Sequence, residues 1–173
     1  MTPMLKKASS LSLAILLAAG AGLAQAADKL SPAQFVDDAS AKGIAEIEAG
    51  KLALEKSQSQ DIKTFARQMI DDHTKANEQL KSLAQQKKLE VSSDAELMDK
   101  AKAMILQVRD DSFDRSYANN QVVAHEKTIE IFRTEAQTGK DAELKAFAEK
   151  TLPALEHHLQ EAKALQTKYA KKE

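Results

Sequence analysis

Four ionisable residues interrupt the apolar faces of the long helices that the sequence predicts. They are Glu46, His73, His125 and His158. Each occurs in an i, i+3/i+4 series of mostly apolar residues; around His73 the series is Ile62, Phe65, Met69, His73, Ala76, Leu80 and Leu83. A buried polar group without a partner costs on the order of a few kcal/mol. We therefore expect these four side chains to meet one another rather than to be buried singly.

One carboxylate and up to three imidazoles form a ligand set suited to one divalent transition-metal ion, such as Zn, Fe, Mn or Cu. A metal-free, hydrogen-bonded Glu–His cluster is an equally open interpretation, and unrelated positions are a third. A ferritin-type two-metal oxidase site is disfavoured because it needs Glu-x-x-His motifs. Ile70 and Leu155 stand three residues before His73 and His158, where that motif has Glu.

The depths of the four residues along their helices are similar. At a rise of 1.5 Å per residue, Glu46 and His73 lie about 18 and 22 Å from a predicted turn near residue 58. His125 lies about 21 Å from a second turn near residue 139, and His158 about 28 Å from it. His158 is therefore predicted to be about one helical turn out of level with the others.

Neighbouring residues offer supporting roles. Asp72 and His157 adjoin the predicted ligands, and each is a candidate to hydrogen-bond the ligand nitrogen that does not face the metal. A solvated position is the simpler prediction for each. Tyr117 with the segment 119–121 is consistent with either a polar layer above His125 or a surface patch. Gly43 and Gly50 are predicted to leave space beside Glu46.

The composition favours helices to position these residues. Gly and Pro account for only 5 and 3 of 173 residues, 29% are charged and none is Cys. Capping boxes at Ser31 with Gln34 and at Ser93 with Glu96 mark helix starts, and Ser59 is a further predicted cap. We predict long helices over about 32–57, 59–87, 111–137 and 141–170, with Pro153 bending the last, and a short helix over 94–108.

The two halves of the chain resemble each other. Residues 62–66 read "IKTFA" and residues 144–148 read "LKAFA", an offset of 82 positions (144 minus 62). We predict two helical hairpins, about 32–87 and 111–170, which pair into an all-α, ferritin-like antiparallel four-helix bundle with a short extra helix in the connection.

The first 26 residues have the three parts of a signal peptide: Lys6 and Lys7, the apolar run "LSLAILLAAGAGLA", and the small-x-small site Ala24-Gln25-Ala26. Cleavage there leaves the domain 27–173 with no transmembrane span, in the periplasm. Outer-membrane association and homo-oligomerisation stay open. The 25 basic and 26 acidic residues do not indicate a nucleic-acid partner.

Three stretches carry a family resemblance: "FARQMIDDHTKAN" at 65–77, "FDRSYANNQVVAHEKTI" at 113–129 and "LPALEHHL" at 152–159. The chain resembles the bacterial exported family called domain of unknown function 4142, whose members are described as outer-membrane or ferritin-like proteins. The resemblance implies a ferritin-like four-helix bundle and maps the family's histidines onto His73, His125 and His158. Ala124 stands where family members often have an acidic residue. The resemblance implies no activity.

Three functions stay open. The first is a small exported binding or envelope-stress protein with a metal or polar site. The second is a metal-dependent oxidase or peroxide-handling enzyme, which needs an open coordination position. The third is a structural or partner-binding helical module, which needs an exposed apolar patch. There is no Cys nucleophile, Gly-rich phosphate loop or Gly-x-Ser-x-Gly motif, so we expect binding rather than catalysis.

Overall fold

The computed structural model describes residues 30–90, 92–94, 96–98, 100 and 113–170. In these ranges the regular structure is all helical, which confirms the predicted class. The long helices are α1 (Pro32–Lys56), α2 (Gln60–Gln86), α3 (Phe113–Thr138) and α4 (Ala142–Tyr169). Residues 94, 96–98 and 100 of the predicted short helix are helical. The rest of that helix and the predicted signal peptide at 1–26 lie outside the described residues.

Local capping explains where the long helices begin. The Ser31 hydroxyl accepts the Gln34 amide N–H at 3.2 Å, and Gln34 Oε1 accepts the Ser31 N–H at 2.9 Å, as predicted. Asp141 caps α4 through its carboxylate. Ser59 makes no side-chain cap, so that prediction was wrong. Its hydroxyl instead donates to Asp114 Oδ2 at 2.5 Å, which ties the α1–α2 turn to the start of α3.

The helices pack as a bundle in which each long helix contacts two others. The extensive contacts are α1 with α2, α3 with α4, α1 with α3, and α2 with α4. The order around the bundle is therefore α1, α2, α4, α3, with α1 diagonally opposite α4. None of the helices in the described ranges is both long enough and apolar enough to cross a membrane.

The core consists of two apolar clusters, one toward each end of the bundle. The first joins the start of α1 and the end of α3 and includes Phe35 and Phe132, whose rings meet edge to face at 5.3 Å. The second joins the end of α1 and the start of α2 and includes Ala53 and Met69. The two echoing strings are buried at matching positions: Ile62 and Leu144, Phe65 and Phe147, Ala66 and Ala148.

Two glycines of α1 allow this helix to approach α2 closely. A Cβ at Gly43 would overlap the Asn77 side chain, and one at Gly50 would lie 2.9 Å from the Ala66 carbonyl oxygen. Both glycines thus accommodate atoms of α2. The prediction that they leave space beside Glu46 was wrong, because sequence alone does not tell which neighbour occupies the room beside a glycine.

Candidate metal centre

A layer of buried polar residues separates the two apolar clusters. Each long helix contributes one member: Glu46 from α1, His73 from α2, His125 from α3 and His158 from α4. Along its own helix, each of the four lies between a residue of the first cluster and a residue of the second. Their exposed fractions are 4%, 6%, 1% and 2%. The four predicted residues therefore lie inside the bundle at a common depth.

The three histidines form a nearly equilateral triangle. The ring centroids of His73 and His125, and of His73 and His158, are 5.7 Å apart, and those of His125 and His158 are 5.6 Å apart. One ring nitrogen of each lies within 4.8 Å of one ring nitrogen of each of the others. The expected meeting of these three imidazoles is confirmed.

His158 is level with the other two histidines, so the prediction that it lies one turn away was wrong. The estimate counted only the rise along the helix axis. Side chains of a helix lean toward its N-terminus. Because α3 ends and α4 begins at their shared turn, His125 leans away from that turn and His158 leans toward it. Together, the two tilts remove most of the difference in axial position between His125 and His158.

Glu46 lies beside this triangle rather than within it. The three-nitrogen group does not include a Glu46 oxygen. Burial raises the pKa of the Glu46 carboxyl, while His125, the Gln121 side chain and Lys42 act in the opposite direction. These influences place the carboxyl near His125 and Gln121 of α3. The predicted fourth ligand is thus adjacent to the histidines, at the side of the bundle that α1 forms.

Hydrogen bonds fix the orientation of two rings. His125 Nδ1 lies 2.9 Å from the Gln121 carbonyl oxygen, which can only accept, so Nδ1 carries the proton. His158 Nε2 lies 3.0 Å from Asp72 Oδ2 and donates to it. Each neutral ring then has its lone pair on the other nitrogen. Those nitrogens, His125 Nε2 and His158 Nδ1, are buried without a hydrogen-bond partner in the protein, as is His73 Nε2.

Burial keeps the imidazole rings of His73 and His158 neutral, which is the form that binds metal ions. Burial, followed by the effects of the nearby His125 and His158, lowers the pKa of His73 from 6.5 to about 3. Burial also lowers the pKa of His158, followed by the effect of His125, while Asp72 acts in the opposite direction. At neutral pH His73 and His158 are therefore neutral, and a neutral imidazole is the form that binds a metal ion.

The spacing fits a metal ion after a small contraction. Tetrahedral zinc with Zn–N bonds of 2.0–2.1 Å places its ligand nitrogens about 3.4 Å apart. Starting from three nitrogens at most 4.8 Å apart, each would have to move inward by no more than about 0.8 Å. A buried group of three imidazoles, each with a nitrogen that lacks a hydrogen-bond partner, is the donor chemistry that zinc and other transition metals favour.

Sequence reasoning gave too little weight to three residues around the site. Gln121 and Tyr117 are fully buried at 0% exposure, although their segment was equally consistent with a surface patch. Their spacing to His125, four residues per step, was the available signal. Asp72 supports His158, although solvation was the simpler prediction for it. His157 has a side chain 62% exposed, as that simpler prediction expected.

In the metal-free protein, the free energy of unfolding is expected to fall as pH drops from about 6.5 toward 3. Between these values the unfolded chain binds a proton at residue 73 that the folded protein does not, because the folded pKa is about 3 instead of 6.5. The stabilising difference is fully present above 6.5 and is lost as pH falls. One such histidine contributes up to about 1.4 kcal/mol per pH unit. Urea unfolding from about pH 7 to pH 4 measures this slope.

The His73→Leu variant is the matched comparison for this pH dependence, and its slope should be shallower. Glu46 works in the opposite direction: its pKa is raised above 4.5, so above that pH the folded protein holds a proton that the unfolded chain releases. Making both measurements in a Glu46→Gln background removes that contribution. Equal slopes with and without His73 would contradict the prediction.

A family model matches residues 18–165 of the chain, which is most of its 173 residues. The matched family is described as a domain of unknown function, DUF4142. Comparisons with curated proteins and with solved structures found no match. The match covers all three stretches on which the resemblance rested, and it shows that the chain belongs to the DUF4142 family.

Proposed function

We propose that this protein binds one divalent transition-metal ion through His73, His125 and His158. The observation that carries the proposal is the convergence of three imidazoles from three helices, each with a buried nitrogen that no protein group hydrogen-bonds. Leaving a buried acceptor unpaired costs about 1–3 kcal/mol. One metal ion would satisfy all three nitrogens at once, and Glu46 would balance part of its charge.

The proposal extends to the architecture and the location. The two hairpins, with one layer of ligands contributed from separate helices, are what a ferritin-like antiparallel four-helix bundle provides. Export to the periplasm is supported by the charged start, the apolar run and the Ala24-Gln25-Ala26 site of the sequence. Our proposed function is thus an exported metal-binding bundle with a mononuclear site.

Metal titration of the purified protein tests the proposal. The protein is stripped with a chelator, loaded with Zn²⁺ or Co²⁺, separated from free metal and subjected to elemental analysis. We expect one ion per chain, and d–d absorption bands of cobalt in a histidine site. His157→Ala should keep that stoichiometry, since its ring is exposed and paired with Glu161 at 3.6 Å. Retention of one ion per chain by a His73→Leu variant, or no stoichiometric metal in the wild type, would refute the proposal.

Asp72→Asn is expected to weaken metal binding about 10- to 100-fold without abolishing it, because a carboxylate behind a histidine ligand fixes the ring and raises its basicity. Asp72 Oδ2 accepts from His158 Nε2 at 3.0 Å, which leaves Nδ1 for the metal. Competition against a chelator of known affinity measures the change. The neighbouring Asp71→Asn, at an exposed position, is the control. Equal affinities of Asp72→Asn and the wild type would show that this hydrogen bond does not support the site.

A further inference from the structure

A stripe of buried polar residues leads away from the histidines along α3. Tyr117, Gln121 and His125 are four residues apart in turn, so they lie on one face of the helix at steps of about 6 Å. They are 0%, 0% and 1% exposed. The Tyr117 ring packs among other aromatic rings: its centroid lies 6.3 Å from that of Phe65 and 6.0 Å from that of Phe113. Its position is therefore fixed by packing while its hydroxyl stays polar.

Glu46 of α1 faces this stripe. It is 4% exposed, and its carboxyl interacts electrostatically with His125 and is close enough to the Gln121 side chain for a hydrogen bond. Burial raises the pKa of Tyr117, and the charge of Glu46 raises it further. Lys42, one turn before Glu46, also interacts with the carboxyl. Because α1 packs against α3, Glu46 faces the stripe on the side of the triangle that supplies no imidazole.

Four polar atoms of this group make no hydrogen bond of good geometry within the protein, although the Gln121 side chain approaches the Glu46 carboxyl. They are Glu46 Oε2, the Tyr117 hydroxyl, and both the oxygen and the nitrogen of the Gln121 amide. At about 1–3 kcal/mol for each unpaired buried group, such a set is costly unless a small polar molecule hydrogen-bonds to it. The group offers donors and acceptors together, which suits a ligand of the size of water.

We propose that Glu46 and Gln121 form a binding site for a water-sized oxygen or nitrogen ligand on a fourth coordination position of the metal, facing α1. This inference rests on the proposed metal site. The three histidines come from α2, α3 and α4. The remaining side of a tetrahedral ion therefore faces α1, the helix that carries Glu46. Three protein ligands plus one exchangeable ligand is the arrangement of reactive metal centres, whereas structural centres are closed by four protein ligands.

Azide titration of the cobalt-loaded protein tests this inference, with azide as a small anionic probe of the exchangeable position. In the wild type we expect a saturable change in the cobalt absorption bands. Gln121→Leu should keep cobalt affinity and lower azide affinity about 10- to 100-fold, the range expected for a hydrogen bond to a charged group. Tyr117→Phe, which removes only a hydroxyl two helical turns from His125, should lower azide affinity less than Gln121→Leu does.

Glu135→Gln is the matched control. Like Gln121, Glu135 is a buried polar residue of α3 with an unpartnered side-chain oxygen, but it lies near the other end of the helix. It should change neither affinity. An azide-insensitive cobalt spectrum, or wild-type azide affinity in Gln121→Leu, would overturn the inference while leaving the metal site intact. A collapse of cobalt affinity in Glu46→Gln would overturn it too, by making Glu46 the fourth ligand. Failure of the wild type to bind cobalt would instead refute the metal site itself.

Discussion

His125→Leu is expected to lower the affinity for Zn²⁺ or Co²⁺ by more than about 100-fold, which is the upper end of what losing a supporting hydrogen bond behind a ligand costs. The variant loses one of three imidazole ligands outright. His125 is 1% exposed and its ring is held by the Gln121 carbonyl at 2.9 Å, so no neighbouring histidine can replace it without rearrangement. Competition with a chelator, followed by cobalt absorption, measures the loss.

The same variant should be about as stable as the wild type when metal is absent. Leucine is close to histidine in volume, and the position lies between two apolar clusters. The substitution removes a buried nitrogen that has no partner, which is favourable, and the Nδ1–H bond to the Gln121 carbonyl oxygen, which is unfavourable. Each effect is on the order of 1 kcal/mol, so the two largely cancel. Loss of affinity together with retained stability would locate the role of His125 in the ligand site. Unchanged affinity would remove it from the site.

Metal binding is expected to stabilise the wild-type fold strongly. At a free metal concentration about 1,000 times the dissociation constant, the free energy of unfolding should rise by about 4 kcal/mol. For a domain of about 150 residues this corresponds to a Tm increase of about 8 to 16 °C. The ligands come from three helices, so the ion would link α2 to both helices of the other hairpin. Scanning calorimetry at several metal concentrations measures the shift.

The control for this effect is His125→Leu, whose affinity loss of more than about 100-fold should limit the shift to about a third of the wild-type value or less over the same metal range. An equal shift in the variant would mean that the ion binds to surface carboxylates instead. His157→Ala should behave as the wild type, because its side chain is exposed. A wild-type Tm that does not depend on metal would contradict the expected coupling between the site and the fold.

The sequence was sufficient to identify the helices and the histidines because both depend on short-range periodicity. Ser31 with Gln34 marked the start of α1, and the bounds of α1 and α2 lie within one residue of their predictions. His73 was recognisable because it interrupts a regular apolar series. Ser59 was misassigned because its hydrogen-bond partner, Asp114, lies 55 residues away in the sequence. A long-range hydrogen bond of that kind leaves no local pattern.

The finer geometry of the site depended on features that the sequence does not encode locally. Counting residues placed His158 out of level because it ignored the direction in which side chains lean. The relation of Glu46 to the triangle depends on how α1 packs against α3. Gln121 is an uncharged polar residue, and such residues are common on surfaces, so its burial had no compositional signal. Its spacing to His125 was informative only once the bundle face was known.

X-ray absorption at the metal edge of the zinc- or cobalt-loaded protein is the most direct measurement of the central claim. Three imidazole nitrogens at about 2.0–2.1 Å from one ion are predicted, falling to two in His125→Leu. A first shell of oxygen alone, or one that contains a single imidazole, would contradict a metal site built from His73, His125 and His158.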